Sequence, residues 1–184
     1  MCGVVWGASA DTSKLPFDPH ASDIAFIPRE LDLPVGEKLV YEIRWSGVPA
    51  GRSVLAVQSK RRMDGHEVYQ IKCEANSNNL VALVYPVADS TTMLIDVTGC
   101  YSRLFDMSKS EDRIKISEHI TFDYEKNLAI YEQRRPGAFR PRSKKAVRID
   151  GPMQDPLSCL YYLRTIELVP GATVSMPVHT ARRP

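Results

Sequence analysis

The side chains of this 184-residue chain that could do chemistry are easy to find singly and do not assemble into a known constellation. A nucleophilic reading falls on Ser158 and Cys159. Ser158 lacks the Gly-x-Ser-x-Gly turn that exposes a hydrolase serine, and Cys159 sits in an apolar stretch with no histidine placed to take its proton. A metal or general-base reading falls on His20, His66, His119 and His179, no two of which share an element at ligand spacing. Glu118 and His119 are adjacent, but neighbours in an extended segment point to opposite faces, so the pair diverges. The glycines stand at turns and form no phosphate-cradling cluster, which removes the nucleotide-binding fingerprints. No catalytic residue, metal site or cofactor is expected from these residues.

Four residues remain as ligand or rim candidates: Trp45, Glu118, Tyr161 and Arg164. Glu118 is the polar member of an otherwise apolar alternation through Ile114, Ile116, Ile120 and Phe122. It belongs at a rim or in a wet interior, and the rim is the commoner arrangement. Arg164 is the charge in the apolar run LSCLYYLRTI; its stem is expected to pack while its head reaches a strand carbonyl or a carboxylate such as Asp155 or Glu167. Tyr161, with Tyr162, is expected in the core with its hydroxyl at the rim. Trp45 is expected to anchor the first strand.

The elements that must position these residues are mostly β-strands. In GEKLVYEIRWSGVPAGRSVLAVQSK, residues 36–60, Leu39, Tyr41, Ile43 and Trp45 alternate with polar or exposed-type positions, and the Gly-Val-Pro-Ala-Gly segment supplies a reversal. Met63-Asp64-Gly65 marks the next turn, and His66 to Asn76 a third strand, so the chain begins as an antiparallel meander. Residues 77–85 read as one or two helical turns ended by Pro86. Strands follow over 89–96, 101–109, 113–124 and 128–134. Residues 134–148, with seven Lys or Arg, read as a long basic loop leading into a short strand. One helix is expected over about residues 155–166, capped by Asp155 with Pro156 in its first turn. Thr173 to Val178 begins a last strand.

A hydrophobic fraction of 43% and a net charge of +2 suit one globular domain and exclude wholesale disorder. No apolar run approaches the roughly 20 residues that span a bilayer, so membrane contact is at most peripheral. Residues 1–34 read as an extension: MCGVVWGASA, with its small-x-small Ala8-Ser9-Ala10, as the remnant of a signal peptide, then a Pro-rich arm. Residues 35–184 read as a single antiparallel β domain. The spacing of Cys2, Cys73, Cys100 and Cys159 fits no zinc or redox pattern; a Cys73–Cys100 disulfide is possible in an oxidising compartment, and buried free thiols are the alternative.

Three segments, GEKLVYEIRWSGVPAG, EANSNNLVALVYPVADSTTMLID and MQDPLSCLYYLRTIELVPGATVSMPV, together resemble the bacterial family called domain of unknown function 3108. The third is the most specific. The resemblance implies an antiparallel sheet curled around its own core, forming a curved sheet or incomplete β-barrel with a helix packed on or across it. It also implies export to the periplasm or another envelope site, and it supplies no activity or catalytic residues. The chain stops soon after Val178, where relatives continue, and is expected to lack their closing strands.

Two functions compete on this reading. The first is a non-enzymatic binding or scaffold domain for an apolar, lipid-like or amphipathic ligand or for an envelope protein. The second is an enzyme whose site gathers Glu118, His119, Asp155 and Arg164 from separate elements. Nucleic acid is not an expected partner, because the basic loop carries Phe139 as its single stacking aromatic. Anionic lipid headgroups suit that loop better.

Overall fold

Alternating apolar and polar residues joined by two-residue turns leave the chain little choice but to fold back on itself strand by strand. The computed structural model describes residues 24–112, 114–134 and 141–180. Eight strands, β2 (Lys38–Trp45), β3 (Val48–Met63), β4 (His66–Ser77), β5 (Ala88–Asp96), β6 (Ser102–Glu111), β7 (Ile114–Asp123), β8 (Leu128–Arg134) and β9 (Ser143–Arg148), form one curved sheet. They pair in sequence order, every pair antiparallel, and β2 does not close onto β9 among the described residues. The protein is mainly β, as expected.

The first reversal is tighter than the sequence suggested. Ser46 and Gly47 both have positive φ, at 48° and 82°, which is the turn geometry whose twist matches a hairpin, and Asp64-Gly65 repeats it at 49° and 82°. The Val48-Pro49-Ala50-Gly51 segment therefore already belongs to β3. Ile43 pairs with Gly51 and Arg44 with Pro49, so Ala50 is the extra residue of a bulge, the place where a strand proline is tolerated. Gly51 is required by close approach, since a Cβ there would collide with the Asn76 carbonyl oxygen.

The two faces of the sheet differ in kind. On the outer face, one cross-strand row reads Lys72, Thr92, Asp106, His119, Glu132 and Lys144. On the inner face, Val57, Ile71, Met93, Phe105, Ile120 and Tyr131 form the corresponding row, and most of it is buried. Three segments cover that half of the inner face. Strand β1 (Ile24–Ala25) pairs in parallel with β10 (Val174–Ser175), helix α2 (Ser158–Leu163) lies against the sheet, and the arm between β1 and β2 buries Leu31 and Leu33 in the same core. The arm of the expected extension is thus part of the core from Ile24 onward. The expected last strand pairs with β1 and stays out of the main sheet.

Tyrosine hydroxyls hold the arm. The Tyr162 hydroxyl accepts from the Ile27 amide at 3.0 Å and donates to the Ile27 carbonyl at 3.2 Å, while the Tyr69 hydroxyl accepts from the Leu33 amide at 3.1 Å. Phe26 packs on the Tyr162 ring. Helix α2 is anchored by the Gln154-Asp155-Pro156-Leu157-Ser158 run that precedes it. Gln154 Nε2 donates to the Cys100 carbonyl at 2.7 Å and its Oε1 accepts from the Ser158 hydroxyl at 2.6 Å. Asp155 Oδ1 accepts from the Leu157 and Ser158 amides, both at 2.8 Å, the capping role expected of it. The helix is shorter than the expected 155–166 because Asp155 to Leu157 form this capped turn.

Cys73, Cys100 and Cys159 are free thiols, which overturns the candidate disulfide. Cys73 pairs with Thr91 in mid-strand, whereas Cys100 lies beyond Asp96 at the end of β5, about 16 Å along the strand at its usual rise. That is far outside bridging distance. The signal-like segment 1–10, His20 and Phe139 of the basic loop lie outside the described residues.

Candidate functional site

Beyond the covered half, the inner face changes composition. The next row contains Leu39, Leu55, Cys73, Thr91, Met107, Glu118 and Gln133, and the row after it Tyr41, Ser53, Ala75 and Asp89, continued by Lys109 and Ile116. Apolar surface from Tyr41, Ala75, Met107 and Ile116 is half-buried here and interspersed with groups that titrate or hydrogen-bond. A short helix, α1 (Asn79–Ala82), stands at the far end, its first turn closed by Asn78 Oδ1 accepting from the Val81 amide. The helical reading of this ambiguous segment holds, with Asn78 as its cap.

The polar groups of this region are partnered in a strip across β5 and β6. Asp89 Oδ1 accepts from the Ser110 amide at 2.8 Å; burial nonetheless raises its carboxyl above the usual range, and the Glu111 charge adds to that. Lys109 Nζ sits 2.9 Å from Glu111 Oε1, and the Tyr85 hydroxyl donates to the other oxygen of Glu111 at 3.4 Å. Nearer the core, the Ser53 hydroxyl meets Cys73 Sγ at 3.5 Å. Burial pushes the Cys73 thiol up, so it is protonated at neutral pH and is no activated nucleophile. The strip sets two carboxylates and an ammonium group directly beside half-buried apolar side chains.

The four sequence candidates separate. Glu118 is buried, at 8% exposure, and so is not at the rim; burial together with the Glu118 charge beside it pushes the Tyr131 hydroxyl up to about 12. Tyr161 is in the core as expected, yet its hydroxyl is buried there and makes no hydrogen bond. Arg164 reaches neither Asp155 nor Glu167. Its guanidinium forks onto Glu37, Nη1 to Oε1 at 2.6 Å and Nη2 to Oε2 at 2.7 Å, and rests over the Tyr161 ring. This ties the end of α2 to the entry of β2 and holds the Glu37 carboxyl below its usual range. Trp45 anchors nothing: it is 73% exposed at the hairpin tip.

The residues of the enzyme reading do not converge. Glu118 faces inward, while His119 faces outward with Asp106 at 3.4 Å and Thr121 at 3.2 Å. Asp155 is sealed beneath α2 and Arg164 is at the other end of that helix, paired. No group of three or more His, Cys, Asp or Glu among the described residues is placed to hold a metal ion. A shallow groove of about 490 Å³ lies elsewhere, between the arm and the chain around β10, lined by Phe26, Pro28, Asp150, Pro152, Ser175, Met176 and Pro177. Its lining brings no polar cluster together. Asp89, Lys109, Ser53 and Cys73 were missed as site residues because each is unremarkable in its own strand and becomes a neighbour of the others only through cross-strand register.

Residues 40–184 match the family model described as Protein of unknown function (DUF3108), which is well over half of the chain. No curated protein and no solved structure matches it.

Proposed function

Because the chain belongs to the family described as Protein of unknown function (DUF3108), we propose that it is a non-catalytic binding domain of the bacterial envelope, taking an amphiphilic ligand on the inner face of its sheet. The observation that carries this reading is the change in lining along one face. A face built only to pack would remain apolar through Tyr41, Ala75, Met107 and Ile116, whereas Asp89, Lys109 and Glu111 sit among them. The ligand's apolar chain would lie along the first four, and its polar head would meet the Asp89–Lys109–Glu111 strip. Export to the periplasm or another envelope compartment belongs to the same reading and is supported by Ala8-Ser9-Ala10 in the first ten residues.

Binding of N-phenyl-1-naphthylamine, whose emission rises in apolar sites, tests the site directly. Wild-type protein is expected to bind the dye saturably and to release it to long-chain fatty acids. Ala75→Trp, which fills the lining, is expected to abolish binding while circular dichroism stays unchanged. Absence of saturable binding, or binding indifferent to Ala75→Trp, refutes the reading. Fractionation of tagged cells tests export.

A further inference from the structure

We propose that the end of the sheet that carries α1 is a docking surface for an anionic lipid membrane. The antiparallel meander places the β2–β3 turn, the β4–β5 connection with α1, the end of β6, the end of β8 and the start of β9 toward that end. Two of these present a crest of large apolar side chains to solvent. Trp45 is 73% exposed at the hairpin tip, and Leu80, Leu83 and Val84 in and after α1 are 71%, 82% and 85% exposed. The two projections are fastened together, since the Asn78 amide donates to the Ala50 carbonyl at 2.9 Å and Asn78 Nδ2 to the Pro49 carbonyl at 2.6 Å. No charged residue occurs between Ser77 and Ala88. A contiguous exposed apolar group of this kind marks an interaction surface.

The charges around the crest say what covers it. Arg52, Lys115 and Arg142 are exposed toward the same end and form no ion pair among the described residues. The carboxylates toward that end are engaged: Glu42 with Arg44, Glu74 with Lys72, and Glu111 with Lys109. Asp112 is the exposed exception. The surface thus offers apolar side chains for the acyl boundary, an indole suited to the headgroup level, and unpaired cations beside them for anionic headgroups. A two-residue turn and a four-residue helix project separately and make no flat apolar face, which suits a fluid surface better than a rigid protein partner.

Flotation of the full chain with phosphatidylcholine vesicles, with and without phosphatidylglycerol, tests the proposal. Binding is expected to require phosphatidylglycerol and to weaken with added salt. Leu83→Ser combined with Val84→Ser is expected to weaken it about tenfold or more, and Arg52→Gln with Lys115→Gln likewise, with thermal unfolding unchanged because all four residues are exposed. In a Trp6→Phe background, Trp45 emission is expected to shift to the blue on vesicle binding and to be quenched by brominated acyl chains. Absence of flotation at low salt, equal binding by the Leu83/Val84 variant, or a Trp45 emission that does not move would each overturn it. So would concentration-dependent self-association that the same variants abolish without vesicle binding, which would make the occupant a second copy of the chain.

Discussion

Asp155→Asn and Asp155→Ala should separate what the first oxygen of this buried carboxylate does from what its charge does. Oδ1 accepts two backbone amides, from Leu157 and Ser158, while Oδ2 is buried without a hydrogen-bond partner. Burial raises the Asp155 pKa against the opposing pull of the Ser158 amide, with the Ser102 hydroxyl near enough to favour the carboxylate though outside hydrogen-bond geometry. Alanine strands both amides in a buried turn. An unmade buried hydrogen bond costs about 1–3 kcal/mol and a lost cap about 0.5–2 kcal/mol, partly offset by removing a desolvated charge, so a net loss of about 2–3 kcal/mol is expected. Asparagine retains the acceptor, removes the charge, and turns an amide nitrogen toward Ser102, whose hydroxyl can accept. Its stability should lie within about 1 kcal/mol of wild type.

Urea unfolding followed by circular dichroism at neutral and mildly acidic pH measures both substitutions. In a chain of this length the alanine loss corresponds to a fall in Tm of about 4–12 °C. The pH dependence has a definite sign. A carboxyl with a raised folded-state pKa holds its proton more tightly folded than unfolded, so wild type gains on Asp155→Asn as pH falls through the raised value, and the gain levels off below the unfolded value. Asparagine as damaging as alanine would refute the capping argument and assign the charge itself a role, such as binding a cation. A wild-type advantage that grew with rising pH would refute the burial argument.

Three further outcomes follow from the same contacts. In a double-mutant cycle, Glu37→Gln and Arg164→Met should show a coupling of about 0.5–1 kcal/mol, modest because the arginine head is partly exposed, fading with salt; the depressed Glu37 pKa means this contribution is present at neutral pH and lost on acidification through the folded value. Tyr162→Phe removes both bonds to Ile27 and should cost about 1–2 kcal/mol, with hydrogen exchange showing the Ile27 amide opening before the sheet does. The Cys100 thiol is buried and pushed up to about 12, so peptide mapping after thiol labelling should find it modified only at the unfolding rate, and stabilising conditions should slow that labelling.

The strands were legible because their information is local. Alternation and turn residues specify a meander without reference to anything distant, and the eight-strand order follows from chaining hairpins. Tyr161 in the core and Asp155 at a cap were legible for the same reason. Trp45 was misread because alternation states which face a residue takes and is silent about how far the covering layer extends; Leu39 and Tyr41 on the same face do reach the core, and Trp45 lies beyond it. Arg164 was misread because Glu37, its partner, is distant in sequence and reaches it only through the path of the arm. For Glu118 the alternation left a rim and an interior position open; the structure buries it, and general polarity, which favours rims, could not decide between them.

The most distinctive string in the sequence, Gln-Asp-Pro-Leu-Ser-Cys-Leu-Tyr-Tyr-Leu-Arg, is spent almost wholly on architecture. Gln154 holds the Cys100 loop, Asp155 and Ser158 close the turn before α2, Tyr162 clamps the arm, and Arg164 pins the helix to Glu37. Apart from Asp155 Oδ2 and the Tyr161 hydroxyl, both buried without a partner, the polar side chains of this string are taken up by contacts within the fold. The surfaces that retain unused capacity are built from ordinary residues: Asp89 and Lys109 among apolar strand positions, and Leu83, Val84 and Trp45 on turns. Both kinds of surface lie toward the same end of the sheet, the end away from α2 and the arm. On the two proposals made above, an amphiphile on the inner face would stand next to the membrane-facing crest and would pass between the two without its apolar chain crossing water, the step that costs most for such a molecule. A binding strip and an insertion crest on one end serve each other; on opposite ends they would not.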